Sequence, residues 1–248
     1  MRASEVTELL GIRFVAPGRE QLLQALAQRI ARREKTVILS GNVQAFNLVY
    51  QLPWLQELYH RADFVRVDGA GLRLAARLLG QSLPPRMTWA DFIWELAAFA
   101  GSRGYRLFLL GARPGVAEAA AGRLHARFPA LQIVGTQHGY FAKMADHPEN
   151  EAVLAQIAVA RPDILLVGMG MPTQERWIYE NRERLEAIVT MTGGAVFDYV
   201  SGQLKRPPAL FTATGFEWLG RLLIEPRRLW RRYLIGNPLF LWRVLRRR

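Results

Sequence analysis

The chain has 248 residues, half of them hydrophobic, and a formal net charge of +12. That length suits one large α/β domain with an appendage, or two small domains, with ample apolar content for a core. Cysteine is absent, which excludes disulfides and cysteine-ligated metal sites and fits a reducing compartment. The opening stretch MRASEVTELLGIRF has no uninterrupted apolar run of signal-peptide type, and no run in the chain approaches the ~20 residues needed to cross a bilayer. The expectation is a cytoplasmic protein, peripheral on a membrane at most. The basic balance also admits a nucleic-acid partner, which stands as a rival reading.

In chain order, Thr36 to Ser40 reads as a strand, followed by an amphipathic helix from Val43 to Tyr59. Phe64 to Val67 is a strand, Gly71 to Leu79 a helix, and Phe92 to Ala100 a helix. Tyr105 to Leu110 is a strand broken at Gly111, with a helix from Pro114 to Phe128. Leu131 to Val134 (strand), Glu151 to Ala160 (helix), Ile164 to Val167 (strand) and Thr173 to Glu183 (helix) follow. Ala187 to Met191 is the last strand, closed by Gly193-Gly194. Near-continuous apolar strands alternating with helices predict an α/β fold, a Rossmann-like parallel sheet with helices on both faces. After Gly194 the strand pattern stops. The predicted division is a catalytic and nucleotide-binding core over residues 1–196 and a basic helical appendage over residues 197–248.

The appendage ends in a distinctive stretch. Arg221 to Arg248 holds nine arginines against one acid, Glu225, and so supplies +8 of the +12. The arginines alternate with Leu222, Leu229, Trp230, Tyr233, Leu234 and Trp242, among others. A solvated charge run would not carry such side chains, and a membrane span would not carry the arginines. The composition suits a surface both anionic and apolar, such as a membrane interface, with self-association into homo-oligomers possible off the membrane. The plainer reading is a helical pair packed on the core. Single-strand nucleic-acid binders also interleave arginine with aromatics. Here, however, the apolar residues fall at helical spacing, and the Glu225-Pro226 pair punctuates helices, so the preferred reading has no nucleic-acid partner.

Parallel sheets bind ligands at the carboxyl ends of their strands. Six sets of polar and glycine residues stand there: Ser40-Gly41-Asn42, Asp68-Gly69, Gly111 to Gly115, Gly135 to Phe141, Gly168 to Glu175 and Gly193 to Asp198. Any one of them alone would be a turn; together they point to a ligand site. The third and fifth suit a nucleotide diphosphate, since glycines admit phosphate to the backbone and the following helix N-termini offer N–H groups. Neither is a GxGxxG or GxxxxGK[ST] motif. Asp68 is the candidate base, because it closes an apolar strand and precedes glycine; its alternative is a cap for the following helix. Asp163 reads as a turn residue after Pro162, and Asp91 as a first-turn helix residue. His138 has no matching cluster, so no metal site is expected.

Read together, Ser40-Gly41-Asn42, Val67-Asp68-Gly69, Pro85-Arg86, Leu110-Gly111, His138-Gly139-Tyr140-Phe141, Gly168-Met169-Gly170 with Gln174-Glu175, Phe197-Asp198, Arg206-Pro207-Pro208, Glu217-Trp218-Leu219 and Glu225-Pro226-Arg227-Arg228 resemble the WecG/TagA/CpsF family of bacterial glycosyltransferases. The resemblance runs from Val37 to Asn237. It implies an inverting, metal-independent hexosyltransferase without a cofactor. The donor is a UDP-sugar and the acceptor a polyprenyl-diphosphate-linked sugar at the cytosolic face of the plasma membrane. The best-known members move N-acetylmannosamine or its uronic acid onto an N-acetylglucosamine lipid in teichoic acid and surface polysaccharide synthesis; others transfer glucose or glucuronate. Residue by residue, the resemblance makes Asp68 the general base, with Ser40 and Asn42 in its pocket and Arg86 on sugar or phosphate. Gly111, Tyr140, Gln174 and Asp198 fall at the nucleotide end, and Arg221, Arg228 and Arg231 on the substrate diphosphate. Inverting transfer needs one base on the attacking alcohol and a cation on the departing diphosphate, and arginine suits the second task. Two positions depart from the pattern: Ser40, where many relatives have Thr, and Trp89, where they have Gly. Trp89 reads either as a shaper of the sugar pocket or as a core residue.

Overall fold

The structure is a computed structural model that describes residues 6–208, 211 and 217–246. Residues 1–5 of the opening stretch, residues 209, 210 and 212–216, and the last two arginines, Arg247 and Arg248, lie outside the described residues. The elements run β1 (Val6–Leu9), β2 (Ile12–Val15), α1 (Arg19–Arg32), β3 (Thr36–Gly41), α2 (Val43–Val49), α3 (Pro53–His60), β4 (Phe64–Val67), α4 (Ala70–Leu78) and α5 (Trp89–Arg103). They continue with β5 (Arg106–Gly111), α6 (Val116–Arg127), β6 (Gln132–Gln137), α7 (Pro148–Ala160), β7 (Ile164–Gly168), α8 (Thr173–Asn181), β8 (Val189–Thr192) and α9 (Val196–Ser201). The C-terminal helices are α10 (Glu217–Ile224), α11 (Pro226–Trp230), a π-helical turn (Arg231–Ile235) and α12 (Gly236–Leu245).

Six strands form a parallel sheet in the order β4-β3-β8-β7-β5-β6, the expected Rossmann-like α/β arrangement. Sequence explains the pattern. Every residue of β3, β7 and β8 is buried, which requires cover on both faces, and these strands consist of apolar residues with Thr, Ser and Gly but no charge. Burying each large apolar side chain is worth roughly 1.5–3 kcal/mol, so these strands are the energetic centre of the sheet. β6, at the edge, is only half-buried and correspondingly polar. On α5 the buried residues Phe92, Ile93, Leu96, Ala97 and Ala100 recur with helical period.

Three differences from the sequence reading have physical causes. The expected helix Val43 to Tyr59 is two helices, because Pro53 begins α3 and cannot continue the hydrogen bonding of α2. The hairpin β1–β2 lies in a stretch read only for targeting signals. Its strands are four residues long and its turn uses Leu10 and Gly11, both at positive φ (52° and 81°). Helix α1 was also passed over, although Leu22, Leu26 and Ile30 bury one face at spacing four.

The chain forms two compact units that are discontinuous in sequence. One gathers the described residues of Met1–Pro17, Ser40–Thr88 and Lys205–Arg248; the other gathers Gly18–Leu39 and Trp89–Leu204. In the first, Phe46 packs edge-on against Phe14 and Tyr59, with centroids at 5.6 and 6.1 Å. Its last helix, α12, docks on α2 through a buried arginine. Arg243 Nη1 donates to the Asn47 side-chain oxygen at 2.9 Å and to the Asn47 carbonyl at 3.1 Å, and its guanidinium lies 4.2 Å from the centre of the Tyr50 ring. Asn47 in turn donates to the Gly236 carbonyl at 2.7 Å. Phe240 and Val244 are buried on the same helix. In the second unit, Trp89 is 5% exposed, and its indole N–H donates to the Thr192 carbonyl at 2.7 Å. Trp89 is therefore a core residue. Asp163, expected as a turn residue, precedes β7 and accepts from the Arg106 N–H of β5 at 2.8 Å, so its side chain ties the starts of two neighbouring strands.

Two glycines of the second unit should respond in opposite directions. A Cβ on Gly122, in the exposed middle of α6, would meet nothing within 4 Å. Gly122→Ala should therefore raise stability by about 0.5–1 kcal/mol. Gly111 has φ +143°, and a Cβ there would sit 2.2 Å from the Gly168 carbonyl oxygen. Gly111→Ala should lower stability by about 2 kcal/mol or more. Urea unfolding of both variants checks the pair.

Candidate active site

In the first unit the ends of β3 and β4 meet: the Asp68 N–H donates to the Gly41 carbonyl at 2.8 Å. The close approach depends on glycine, since a Cβ on Gly41 would lie 2.7 Å from a Val65 methyl and one on Gly71 2.4 Å from a Val43 methyl. Asn42 caps α2, its side-chain oxygen accepting from the Ala45 N–H at 3.0 Å. The cap of α4 is Gly69, without a side-chain bond, so Asp68 is not spent on capping and its carboxyl is available for chemistry.

The residue that organises this corner is Arg66, buried to 1% exposure in the middle of β4. Its Nη2 donates to Ser40 Oγ at 2.7 Å, and its Nη1 donates to the Met87 carbonyl and lies 3.4 Å from Asp68 Oδ1. The Tyr59 hydroxyl, fully buried, donates to the Ser40 carbonyl at 2.7 Å. The Met87 N–H donates to the Val67 carbonyl at 2.7 Å, which brings the Pro85–Met87 segment alongside β4. Arg86 lies on that segment and pairs with Glu217, at the start of α10, at 2.8 Å, with both side chains mostly buried. The family resemblance implies Ser40 and Asn42 in the pocket of Asp68, and Arg86 on sugar or phosphate. The structure puts Ser40 and Asp68 on one guanidinium, Asn42 at the head of the adjoining helix, and Arg86 on the neighbouring segment.

The electrostatics are those of a partly desolvated carboxylate among cations. Burial pushes the Asp68 carboxyl above the ordinary carboxylate range, while Arg66, Arg221 and Arg232 each pull it down; burial prevails. Burial likewise lowers Arg66 and Arg232, the latter with Arg221 and Arg228 as neighbouring like charges. Of the three arginines expected on the diphosphate, Arg221 faces this site. Arg228 is exposed and pairs with Glu225 at 2.5 Å, and Arg231 is exposed with its guanidinium 5.2 Å from the centre of the Trp230 ring. Arg232, its neighbour, faces Asp68 as well. Arg66, Arg232 and Tyr59 were not singled out from sequence. A visible signal existed only for Arg66: a charged residue in the run FVRV, at a position where a covered strand is otherwise apolar.

The second unit carries the other strand-end loops. The Ala112 N–H donates to the Gly168 carbonyl at 2.8 Å, and the Gly139 N–H to the Ala112 carbonyl at 2.9 Å, so the loops after β5, β6 and β7 are laced together. Gly111 has to be glycine for that approach. Gln174 is 1% exposed; its oxygen accepts from the Gly194 N–H at 2.9 Å and its amide donates to Glu175 at 2.7 Å. It shapes the Gly193–Gly194 loop from within. Tyr140 is 67% exposed, on a loop held by Lys143, whose ammonium donates to the carbonyls of Gly139 (2.6 Å) and Phe141 (3.0 Å). Burial lowers Lys143. Asp198 is half-buried in the first turn of α9, and its carbonyl accepts from the Leu204 N–H at 2.9 Å.

A desolvated carboxylate faced by guanidinium groups has the chemistry that transfer to or from an anionic substrate requires. The sequence profile of the glycosyl transferase WecG/TagA/CpsF family matches residues 7–248, and the chain belongs to that family. Among individual proteins it is similar to the N-acetylglucosaminyldiphosphoundecaprenol N-acetyl-beta-D-mannosaminyltransferase of Staphylococcus aureus strain NCTC 8325 / PS 47. The two are 29% identical over 239 residues, 96% of this chain and 91% of the relative. The enzyme of the same name from strain MRSA252 is equally similar, at 29% over 239 residues with the same coverage.

The Tyr59 contact can be tested for its contribution to this corner. Tyr59→Phe removes one buried donor and leaves the Ser40 carbonyl short of it, which should cost about 1–2 kcal/mol in urea unfolding. A change below about 0.3 kcal/mol would show that the bond does not hold Ser40 in place.

Proposed function

We propose that this protein transfers N-acetylmannosamine from a UDP-sugar to a polyprenyl-diphosphate-linked N-acetylglucosamine, with inversion, at the cytosolic face of a membrane. The observation that carries the reading is Asp68, a carboxyl lifted by burial and faced by Arg66, Arg221 and Arg232. Family membership and the activity named for the Staphylococcus aureus relatives support the sugar and the acceptor.

In this mechanism Asp68 takes the proton of an N-acetylglucosamine hydroxyl as its oxygen attacks the anomeric carbon of the donor. The bond from that carbon to the diphosphate breaks and UDP leaves with the electron pair. A carboxylate whose pKa is raised is, in its ionised form, a stronger proton acceptor. The departing diphosphate needs positive charge, and guanidinium supplies it bidentately. We assign that role to Arg221 and Arg86, with Arg228 and Arg231 joining from the C-terminal segment. Ser40 and Asn42 line the acceptor pocket. Gly111, Tyr140, Gln174 and Asp198 are assigned to the uridine end; the exposed Tyr140 ring suits stacking, and Gln174 acts through the loop it shapes.

The membrane assignment rests on the C-terminal segment. Among the described residues no helix is long and apolar enough to cross a bilayer. The segment nevertheless exposes Leu223, Trp230, Leu234, Ile235, Trp242 and Leu245 beside exposed Arg227, Arg228, Arg231 and Arg246. Exposed large apolar side chains and arginines along one segment fit the headgroup boundary of anionic lipid. In this reading residues 1–196 are the catalytic core and residues 197–248 the membrane-seeking appendage, and its exposed apolar surface would self-associate where no membrane is present.

The central test mixes the protein, in detergent, with a short-chain polyprenyl-diphosphate N-acetylglucosamine and offers UDP-N-acetylmannosamine, its uronic acid and UDP-glucose in turn. UDP release is expected with N-acetylmannosamine, dependent on acceptor and reduced about 10²–10⁴-fold in Asp68→Asn. The base must be ionised, so the rate should fall as pH drops through the Asp68 pKa, and that fall should begin above the ordinary carboxylate value of about 4. Acceptor-dependent release undiminished in Asp68→Asn would refute the assignment of the base.

For the surface, a Trp230→Ser, Leu234→Ser double variant should float with anionic vesicles at least about fivefold less than the parent at equal protein. Equal flotation would place the membrane contact elsewhere.

A further inference from the structure

Resting on the reading of Asp68 as the base, we propose that Arg66 is a positioning residue for the transfer reaction, setting the Asp68 carboxyl and the Ser40 hydroxyl in one fixed arrangement through a single buried guanidinium. Three acceptors share that group. The Met87 carbonyl and Ser40 Oγ hold it firmly, Ser40 at 2.7 Å, whereas Asp68 Oδ1 lies 3.4 Å away. The inequality matters chemically. A close bidentate pair would hold the carboxylate as a salt bridge and sap its basicity. One long contact to Oδ1 orients the carboxyl while leaving the group basic. Arg66 is itself held by the main chain of the segment that carries Arg86, so strand β4, the end of β3 and that segment meet on one side chain.

Lysine cannot do this. Its ammonium is a point charge on a flexible stem, whereas the guanidinium is a planar fork that spans acceptors on different elements. Desolvation opposes burying any cation here, so a 1% exposed arginine beside an active carboxyl is retained against a real cost. The charged groups facing Asp68 are Arg66 from β4, Arg221 from α10 and Arg232 from the π turn, and Tyr59 from α3 faces Arg66. Arg66 touches both Asp68 and Ser40 by the hydrogen bonds above.

The experiment measures kcat and KM for the full chain between about pH 5 and pH 9 in wild type, Asp68→Asn, Arg66→Met and Arg66→Lys, with UDP-N-acetylmannosamine and the short-chain lipid acceptor. Arg66→Met should lower kcat at least about 30-fold, leave the acceptor KM within about threefold, and move the acid limb to higher pH, because a cation that favours the ionised carboxylate is gone. Arg66→Lys should restore the acid limb but remain about tenfold down in kcat, since charge returns without the fork. Wild-type kcat and an unmoved acid limb in Arg66→Met, with Asp68→Asn inactive, overturn the positioning role and leave the base assignment standing. Activity in Asp68→Asn overturns the base assignment and this role with it. If Arg66→Met does not fold, Arg66→Lys decides: unchanged kcat refutes the proposal, and reduced kcat with an unmoved limb supports it.

Discussion

Everything at the candidate site follows from one constraint: a guanidinium buried at the end of two adjacent strands must find acceptors or it cannot be there. Removing a cation from water is expensive, and only charge-assisted hydrogen bonds with good geometry offset the loss. Arg66 meets the requirement with Met87, Ser40 and Asp68. Each acceptor comes from a different stretch of the chain, so satisfying one side chain fixes the positions of three. The glycines at 41 and 71 are the steric counterpart. They let the strand ends and the start of α4 come close enough for one guanidinium to reach all three acceptors.

The same desolvation acts on Asp68 in the opposite sense to the arginines around it. Burial disfavours the carboxylate, while Arg66, Arg221 and Arg232 favour it. A base for an alcohol needs that balance. A carboxylate fully neutralised by bidentate arginine is a poor proton acceptor, and one buried without cations would be protonated before the substrate arrived. Arg221 and Arg232 both belong to the C-terminal segment, so the basicity of Asp68 depends on how that segment lies within its unit. Carboxylates of the segment pair with guanidinium groups inside and outside it: Glu225 with its own Arg228, and Glu217 with Arg86 of the segment beside β4.

The sheet was legible because parallel strands covered on both faces are continuous apolar runs. The strand-end positions were legible because such a sheet gathers them at one edge: Ser40, Asp68 and Gly111 were read from that geometry alone. Trp89 was ambiguous, since tryptophan has both an apolar body for a core and a polar N–H for a partner, and only the Thr192 carbonyl identifies its surroundings. Arg66 shows in sequence only as a charge within the run FVRV; its role depends on acceptors that sequence does not pair with it, Met87 being twenty-one residues away. Arg231 and Arg232 are indistinguishable in sequence. Which of two adjacent arginines faces Asp68 depends on helical phase, and the π turn at Arg231–Ile235 shifts that phase locally.

That turn also bears on how the basic segment can act. Between Glu217 and Ile235 it presents arginines and exposed apolar side chains, whereas α12 beyond it is fastened to α2 by Arg243, Asn47 and the burial of Phe240 and Val244. The last helix therefore belongs to the core of its unit even though its sequence looks like a continuation of the basic tail. Deleting the whole tail would strip a packed helix from that core and would confuse lost folding with lost chemistry. Charge and side-chain substitutions between Glu217 and Ile235 leave α12 in place. They therefore separate what the arginines contribute at the diphosphate from what the helix contributes to stability.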